Sequence, residues 1–171
     1  IILSLMLSSL ALGTIITMSS THWLMAWVGL ELNTLAIVPL ITKHHYPRST
    51  EATTKYFLTQ AAASATLLFA STVNAWHTGT WDISQLTDQP ACTLLTMALS
   101  MKLGLAPLHF WLPEVLQGTS LSTALIITTW QKLAPLALMF LTYSALNPTI
   151  LLTLGLLSAM VGGWGGLNQT Q

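Results

Sequence analysis

Charged side chains are scarce in this sequence. Of its 171 residues, 6% are Asp, Glu, Lys or Arg, whereas 53% are hydrophobic and the mean hydropathy is +0.66. A soluble domain carries about 25% charged residues, so the composition excludes an ordinary water-soluble domain and favours a protein surrounded by a lipid bilayer. The formal net charge is zero, which gives no electrostatic basis for binding nucleic acid or an acidic partner.

Cysteine and cofactor motifs are also nearly absent. Cys92 is the single cysteine, so the chain has no internal disulfide and no cysteine-based metal site. It also lacks a nucleotide-binding loop and paired histidines within one apolar segment. We therefore expect no bound cofactor and no metal in this chain. Because Ile1 is not an initiator residue and the last segment reaches Gln171 without a terminating signal, we expect the chain to be a piece of a longer protein.

Apolar segments separated by short polar links make up the whole chain. A helix needs roughly 20 apolar residues to cross a bilayer, and six segments come close to that length. We therefore predict an all-α, polytopic transmembrane bundle of about six helices, forming a single domain over residues 1–171. The expected helices cover residues 1–18, 23–41, 56–76, 91–111, 121–146 and 148–167.

The links differ in charge. The link 43–55 carries Lys43, Arg48 and Lys55, whereas the loop 77–90 has two aspartates and neither lysine nor arginine. The positive-inside bias places the basic link on the cytoplasmic or matrix side. Tryptophans near the segment ends are expected to form an aromatic belt. These are Trp23, Trp76, Trp81 and Trp111.

The fourth segment combines a charge with a helix break. Lys102 lies near its middle. Pro107 has no N–H to donate to the carbonyl of Leu103, and it moves Ala106 away from helical geometry. Gly104 loosens the same turn. We therefore expect a discontinuous helix near Gly104–Pro107, of the kind that membranes tolerate where it lines a buried or wet cavity.

Three charged residues lie far from the links: Glu31, Lys102 and Lys132. A lysine at such depth costs at least roughly 2.5–3.5 kcal/mol on insertion scales, so the default interpretation is functional. The alternative is that Glu31 and Lys102 form a buried ion pair that fixes helix packing. Such a pair adds little net stability over apolar residues, which makes packing alone the weaker reason for these charges.

Proton transfer is the chemistry that this pattern favours. Desolvation disfavours the charged form of an amine, and a nearby carboxylate favours it. Movement of Glu31 relative to Lys102 would then decide whether Lys102 holds its proton, and Lys132 could receive it. His109 is a candidate relay because histidine titrates near neutral pH, although it could equally be a helix-end residue. The hydroxyls available to such a path are those of Ser100, Thr128 and Thr129.

Five stretches of the chain closely resemble one known family. They resemble the NADH–ubiquinone oxidoreductase chain 2 family, the mitochondrially encoded, antiporter-like membrane subunits of respiratory complex I, in their vertebrate form. The stretches are Trp27–Ile37, Glu51–Ala61, Met101–Glu114, Trp130–Pro135 and Gly162–Gln169.

The resemblance implies a proton-translocating subunit of the mitochondrial inner membrane, with the other membrane-arm subunits of complex I as partners. It implies that Glu31 is the key carboxylate, Lys102 the central lysine of the discontinuous helix and Lys132 the connecting lysine. It also implies that NADH and ubiquinone are used by the whole complex and not bound by this chain. Half of the family's usual inverted repeat would lie outside these residues.

Two other functions remain open. A free-standing cation/proton antiporter subunit shares the layout of one glutamate and several lysines, and a sodium or potassium dependence of transport would favour it. A passive scaffold, in which the central charges only fix packing, would be favoured if neutral substitution of Lys102 left assembly and pumping intact.

Overall fold

The chain is helical throughout the part that the computed structural model describes, residues 1–170. Within that range the only β-type pairing is an isolated bridge between His22 and Asp82, so the all-α prediction is confirmed. The helices are α1 (Ile2–Ser19), α2 (Trp23–Ile41), α3 (Pro47–Thr78), α4 (Gln89–Leu103), α5 (Trp111–Gln117), α6 (Leu121–Thr128), α7 (Leu133–Leu141) and α8 (Pro148–Leu167).

Five helical stretches are long and apolar enough to cross a membrane. They are α1, α2, α3, the continuous stretch Leu121–Leu141 that contains α6 and α7, and α8. The expected fourth segment is the exception, because α4 has 15 residues and its helix resumes only at α5. The expected fifth helix is also wrong in detail: a short 3-10 turn, Trp130–Lys132, separates α6 from α7, and α7 ends at Leu141.

Helices α1 and α2 pack at very short range. A Cβ atom on Gly13 would lie 2.5 Å from Oδ1 of Asn33, and one on Gly29 would lie 2.8 Å from the carbonyl oxygen of Gly13. Only glycine fits at both positions. On its other sides α2 packs against α3, while α7 packs against α1 and α4, and α5 packs against α3.

The expected start of the third helix, residue 56, is wrong. Helix α3 begins at Pro47, because proline suits the first position of a helix, where its missing N–H is not needed. The basic link therefore shrinks to residues 42–46, and Arg48, Glu51 and Lys55 lie on the helix. With 32 residues, α3 is about 48 Å long.

The expected aromatic belt is only partly observed. Trp76 is 86% exposed, as a belt residue would be, but Trp23 and Trp111 are 0% and 7% exposed and belong to the core. The backbone N–H of Trp23 donates to the carbonyl of Trp81. This contact ties the loop before α4 to the start of α2, which explains why Trp23 is covered by protein.

Candidate functional site

A polar layer separates two hydrophobic clusters in the bundle. The first cluster includes Leu30, Leu67 and Leu99, and the second includes Ile37 and Tyr56. Four parts of the chain contribute residues to both clusters: α2, α3, α4 with α5, and α6 with α7. In each part, polar residues lie between the residues of the first cluster and those of the second. These are Asn33 and Thr34 on α2, Gln60 and Ser64 on α3, Lys102 on α4 and Gln131 between α6 and α7.

The predicted helix break forms one wall of this layer. Helix α4 ends at Leu103, and Gly104 adopts a left-handed conformation with φ 72°, which favours glycine because it has no Cβ. Helical structure resumes at Trp111. The Trp111 indole N–H donates to the carbonyl of Met101 at 3.1 Å, so this side chain satisfies a carbonyl in the last turn of α4. The expected interruption after Lys102 is confirmed.

Lys102 is the buried amine of the layer. It lies in the last turn of α4 and is 5% exposed. Among residues 1–170, the ion pairs within 4.0 Å join Lys55 to Glu51 and to Glu114, so no carboxylate of this range pairs directly with Lys102. The cavity that Lys102 lines is bordered by Leu30, Asn33, Thr34, Tyr56, Gln60, Trp111, Ile127, Gln131, Ala134 and Pro135.

This cavity is very small, and both polar and apolar side chains line it. The centre of a water molecule has about 10 Å³ in which to move, close to the minimum that a single ordered water needs. Both polar atoms of the Asn33 amide and Nε2 of Gln131 are buried and have no hydrogen-bond partner within the described range. Buried polar groups are normally satisfied by protein or water, so these amides favour a water molecule beside Lys102.

Glu31 lies on α2 next to residues that line the cavity, and it forms no ion pair with Lys102 within the described range. The residue is half-buried, and its Oε2 is buried without a hydrogen-bond partner among residues 1–170. The cavity is lined by its neighbours Leu30, Asn33 and Thr34 and not by Glu31 itself. That Glu31 and Lys102 approach each other in the same interhelical space therefore stays a prediction.

Lys132 reaches the helix break from the opposite side. Its Nζ donates a hydrogen bond to the carbonyl of Leu103, the carbonyl that Pro107 cannot satisfy. Lys132 ends the 3-10 turn between α6 and α7. Pro135 explains this turn, because it has no N–H for the carbonyl of Gln131. The structure thus places Lys102 and Lys132 on the two sides of one break.

His109 lies within the break but outside the cavity. Its ring stacks on Phe110 with centroids 4.8 Å apart. Its Nδ1 is buried and has no partner in the described part of the chain, whereas the residue as a whole is half-buried. The structure therefore does not bring His109 to Lys102, and its role as a relay stays a prediction.

The three hydroxyls expected to carry the proton are engaged elsewhere. Ser100, Thr128 and Thr129 each donate to a backbone carbonyl of their own helix, and none lines the cavity. Sequence reasoning missed the polar groups that do line it, which are Asn33, Thr34, Tyr56, Gln60 and Gln131. The available signal was the presence of Asn33, Gln60 and Gln131 inside otherwise apolar segments.

The chain is similar in sequence and in fold to known membrane proteins. The sequence profile of the family described as NADH:quinone oxidoreductase/Mrp antiporter, transmembrane, matches residues 20–171. The chain belongs to this family. The match includes Glu31, Lys102, Lys132 and the intervening break.

Among relatives in the family, the chain is 62% identical to NADH-ubiquinone oxidoreductase chain 2 of Oncorhynchus mykiss over 170 residues, which cover 99% of this chain and 49% of the relative. It therefore spans about half the length of the curated relatives that it matches. A chain of respiratory complex I from Thermus thermophilus has the same fold, with a TM-score of 0.91 and 32% identity over 98% of this chain and 40% of that one.

The family fold also occurs in antiporters. A chain of the Mrp complex from Dietzia sp. DQ12-45-1b superposes with a TM-score of 0.74 over 80% of this chain and 28% of that one. The sequence identity is 20%, so this likeness shows the shared fold alone.

Proposed function

We propose that the protein is a proton-translocating membrane subunit of respiratory complex I in the mitochondrial inner membrane, with other membrane-arm subunits as its partners. In this proposal NADH oxidation and ubiquinone reduction take place elsewhere in the complex, and the chain itself binds no redox cofactor. The 62% identity to a vertebrate NADH-ubiquinone oxidoreductase chain 2 supports the assignment, as does the fold shared with a complex I chain at 32% identity.

The observation that carries the proposal is the environment of Lys102. The amine is buried in a small cavity beside a helix break, and among residues 1–170 no carboxylate lies within ion-pair distance of it. A lysine held this way is poised to exchange its proton, because desolvation opposes its charge and a moving carboxylate or water can restore it. A residue kept only for packing would gain more from a close, fully hydrogen-bonded partner.

The roles of the three charged residues follow from their positions. Glu31 acts on the charge of Lys102 from α2 and sets whether the amine keeps its proton. Lys102 loads and releases the proton through the cavity. Lys132 accepts it across the break, and the amides of Asn33 and Gln131 hold the water that bridges the two sides. His109 remains a candidate relay toward the surface of the break.

The experiment uses the full-length chain in assembled complex I, reconstituted in vesicles. We expect Lys102→Met to abolish proton transfer through this subunit and Glu31→Gln to slow it, while assembly on native gels stays normal. Lys55→Met is the matched control, since Lys55 is partly exposed and paired at the edge of α3. A Lys102→Met complex that assembles and pumps at the wild-type ratio of protons to electrons would reject the proposal and favour a passive scaffold.

A cation/proton antiporter is the second candidate, because the family profile covers both oxidoreductase and Mrp antiporter subunits. The two functions differ in their dependence on sodium and potassium. Under the complex I proposal, replacing sodium and potassium by choline leaves pumping by the reconstituted complex unchanged. A loss of transport on that replacement, reversed by adding sodium or potassium back, would favour the antiporter.

A further inference from the structure

Four helix ends meet around a pocket at the basic edge of the bundle. They are the end of α2, the start of α3, the end of α5 and the start of α6. The pocket has a volume of about 400 Å³ and lies apart from the cavity of Lys102. We propose that it binds the phosphate headgroup of an anionic phospholipid.

The lining of the pocket suits a phosphate. It includes the basic side chains of Lys43, His44 and Arg48, and no aspartate or glutamate lines it. Arginine and lysine side chains are strong donors to phosphate oxygens. The Arg48 guanidinium is held in place by a 2.8 Å hydrogen bond to Oε1 of Gln117, so it lies across the pocket from α3 to the end of α5. Glu51, the nearest acid along α3, forms an ion pair with Lys55, with 2.8 Å between Oε1 and Nζ.

The link that carries these basic residues is ordered. The backbone N–H of Tyr46 and the hydroxyl of Ser49 both donate to the carbonyl of His44, at 2.7 and 2.5 Å. Gly118 packs directly on α3, because a Cβ there would lie 2.5 Å from that of Ala52. The two walls of the pocket are therefore fixed relative to each other before any ligand binds.

The pocket lies at the depth expected of lipid headgroups. Leu40 and Ile41 end the apolar helix α2 and form part of its lining. Leu121, the first residue of α6, is 90% exposed. The basic side chains of the pocket therefore lie next to the ends of apolar helices. Basic pockets between transmembrane helices on the matrix or cytoplasmic side bind anionic headgroups, which is the side that the positive-inside bias gives to this edge.

An apolar groove distinguishes a lipid from a free phosphate ion. The groove has a volume of about 290 Å³ between α1 and α6 and is lined by Leu7, Leu10, Ala11, Leu125, Ile126, Thr129 and Trp130. Leu125 lies one turn into α6 from Leu121, about 6 Å deeper along the helix. Leu10 and Ile126 pack in the same hydrophobic cluster as Leu40 and Ile41 of the pocket. In this proposal an acyl chain lies in the groove while its phosphate occupies the pocket.

The test uses the full-length chain in its native assembly, in phosphatidylcholine vesicles that contain a photoactivatable phosphatidylglycerol. We expect cross-links to peptides around residues 40–50 and 117–126. The double variant Lys43→Gln with Arg48→Gln should lower their yield about ten-fold, since each basic residue near the surface adds attraction for anionic lipid. The charge-preserving pair Lys43→Arg with Arg48→Lys should keep the yield.

Two controls test whether the cross-links come from lipid bound in the pocket. The double variant Glu51→Gln with Lys55→Gln removes one ion pair from the same part of α3 but outside the pocket, and it should leave the yield unchanged. An excess of inorganic phosphate should not compete, because it cannot use the groove. The proposal fails if the double variant cross-links like the wild type, if a phosphatidylcholine probe labels the same peptides equally, or if free phosphate displaces the lipid.

Discussion

The Lys132 amine donates a hydrogen bond to the carbonyl of Leu103, the last residue of α4. Pro107 leaves that carbonyl without its helical donor. Lys132, which lies at the interruption between α6 and α7, therefore satisfies an acceptor at the end of α4. The 3-10 turn before α7 and the break after α4 are thereby joined by a titratable group. The same side chain therefore holds the break and is proposed to take part in proton transfer.

Removal of this bond should loosen the break. Lys132→Met leaves the Leu103 carbonyl without a donor, which costs about 1–3 kcal/mol for a buried group. We expect faster amide hydrogen exchange over residues 103–112 of the assembled full-length protein, with Lys132→Arg much closer to the wild type because it keeps a donor. Equal exchange rates in the Met and Arg variants would show that the bond does not hold the break.

The hydroxyl of Tyr56 should assist proton transfer. Its ring is buried against Trp111, with centroids 5.8 Å apart, and the residue lines the cavity of Lys102. Tyr56→Phe keeps the ring and removes only the hydroxyl, so we expect normal assembly and proton transfer slowed about ten-fold, below the range typical of a direct acid or base. Tyr143→Phe, at an exposed tyrosine, is the control. An unchanged pumping ratio and rate in Tyr56→Phe would remove Tyr56 from the path.

Close packing of α1 on α2 predicts a sharp difference between two glycine substitutions. Gly29→Ala places a Cβ against Thr17 and 2.8 Å from the carbonyl oxygen of Gly13, whereas a Cβ on Gly162 meets no other atom of residues 1–170 within 4 Å. We expect Gly29→Ala to lower stability by about 1–3 kcal/mol, as overpacking does, and Gly162→Ala to have little effect. Thermal denaturation of the full-length protein in its assembly measures both. Equal midpoints would contradict the close contact.

Local signals allowed much of the fold to be predicted from the sequence. The bounds of α2, Trp23–Ile41, match the expected range, because apolar runs and polar links mark them directly. The break after Lys102 was predictable because Gly104 and Pro107 act on their own turn. The start of α3 was not, since its first two turns are mostly polar and hydropathy alone does not distinguish such turns from a link.

The candidate site was predictable only as a set of charges. Glu31, Lys102 and Lys132 stand out in apolar segments whatever the packing. Which side chains share the cavity depends on how each helix is rotated about its axis, and one sequence does not give that rotation. Tyr56 and Gln60 therefore entered the site only with the structure, and His109, which does not line the cavity, stays a predicted relay.

The ability of Lys102 to give up its proton is tested most directly by Lys102→Arg in assembled full-length complex I. Arginine keeps the positive charge and donor groups but does not deprotonate in proteins, because its pKa stays above about 12. The measurement is the ratio of protons pumped to electrons transferred in vesicles, with assembly verified on native gels. We predict a ratio lowered nearly as much as in Lys102→Met. A normally assembled Lys102→Arg complex that pumps at the wild-type ratio would show that Lys102 carries a fixed charge and does not transfer protons.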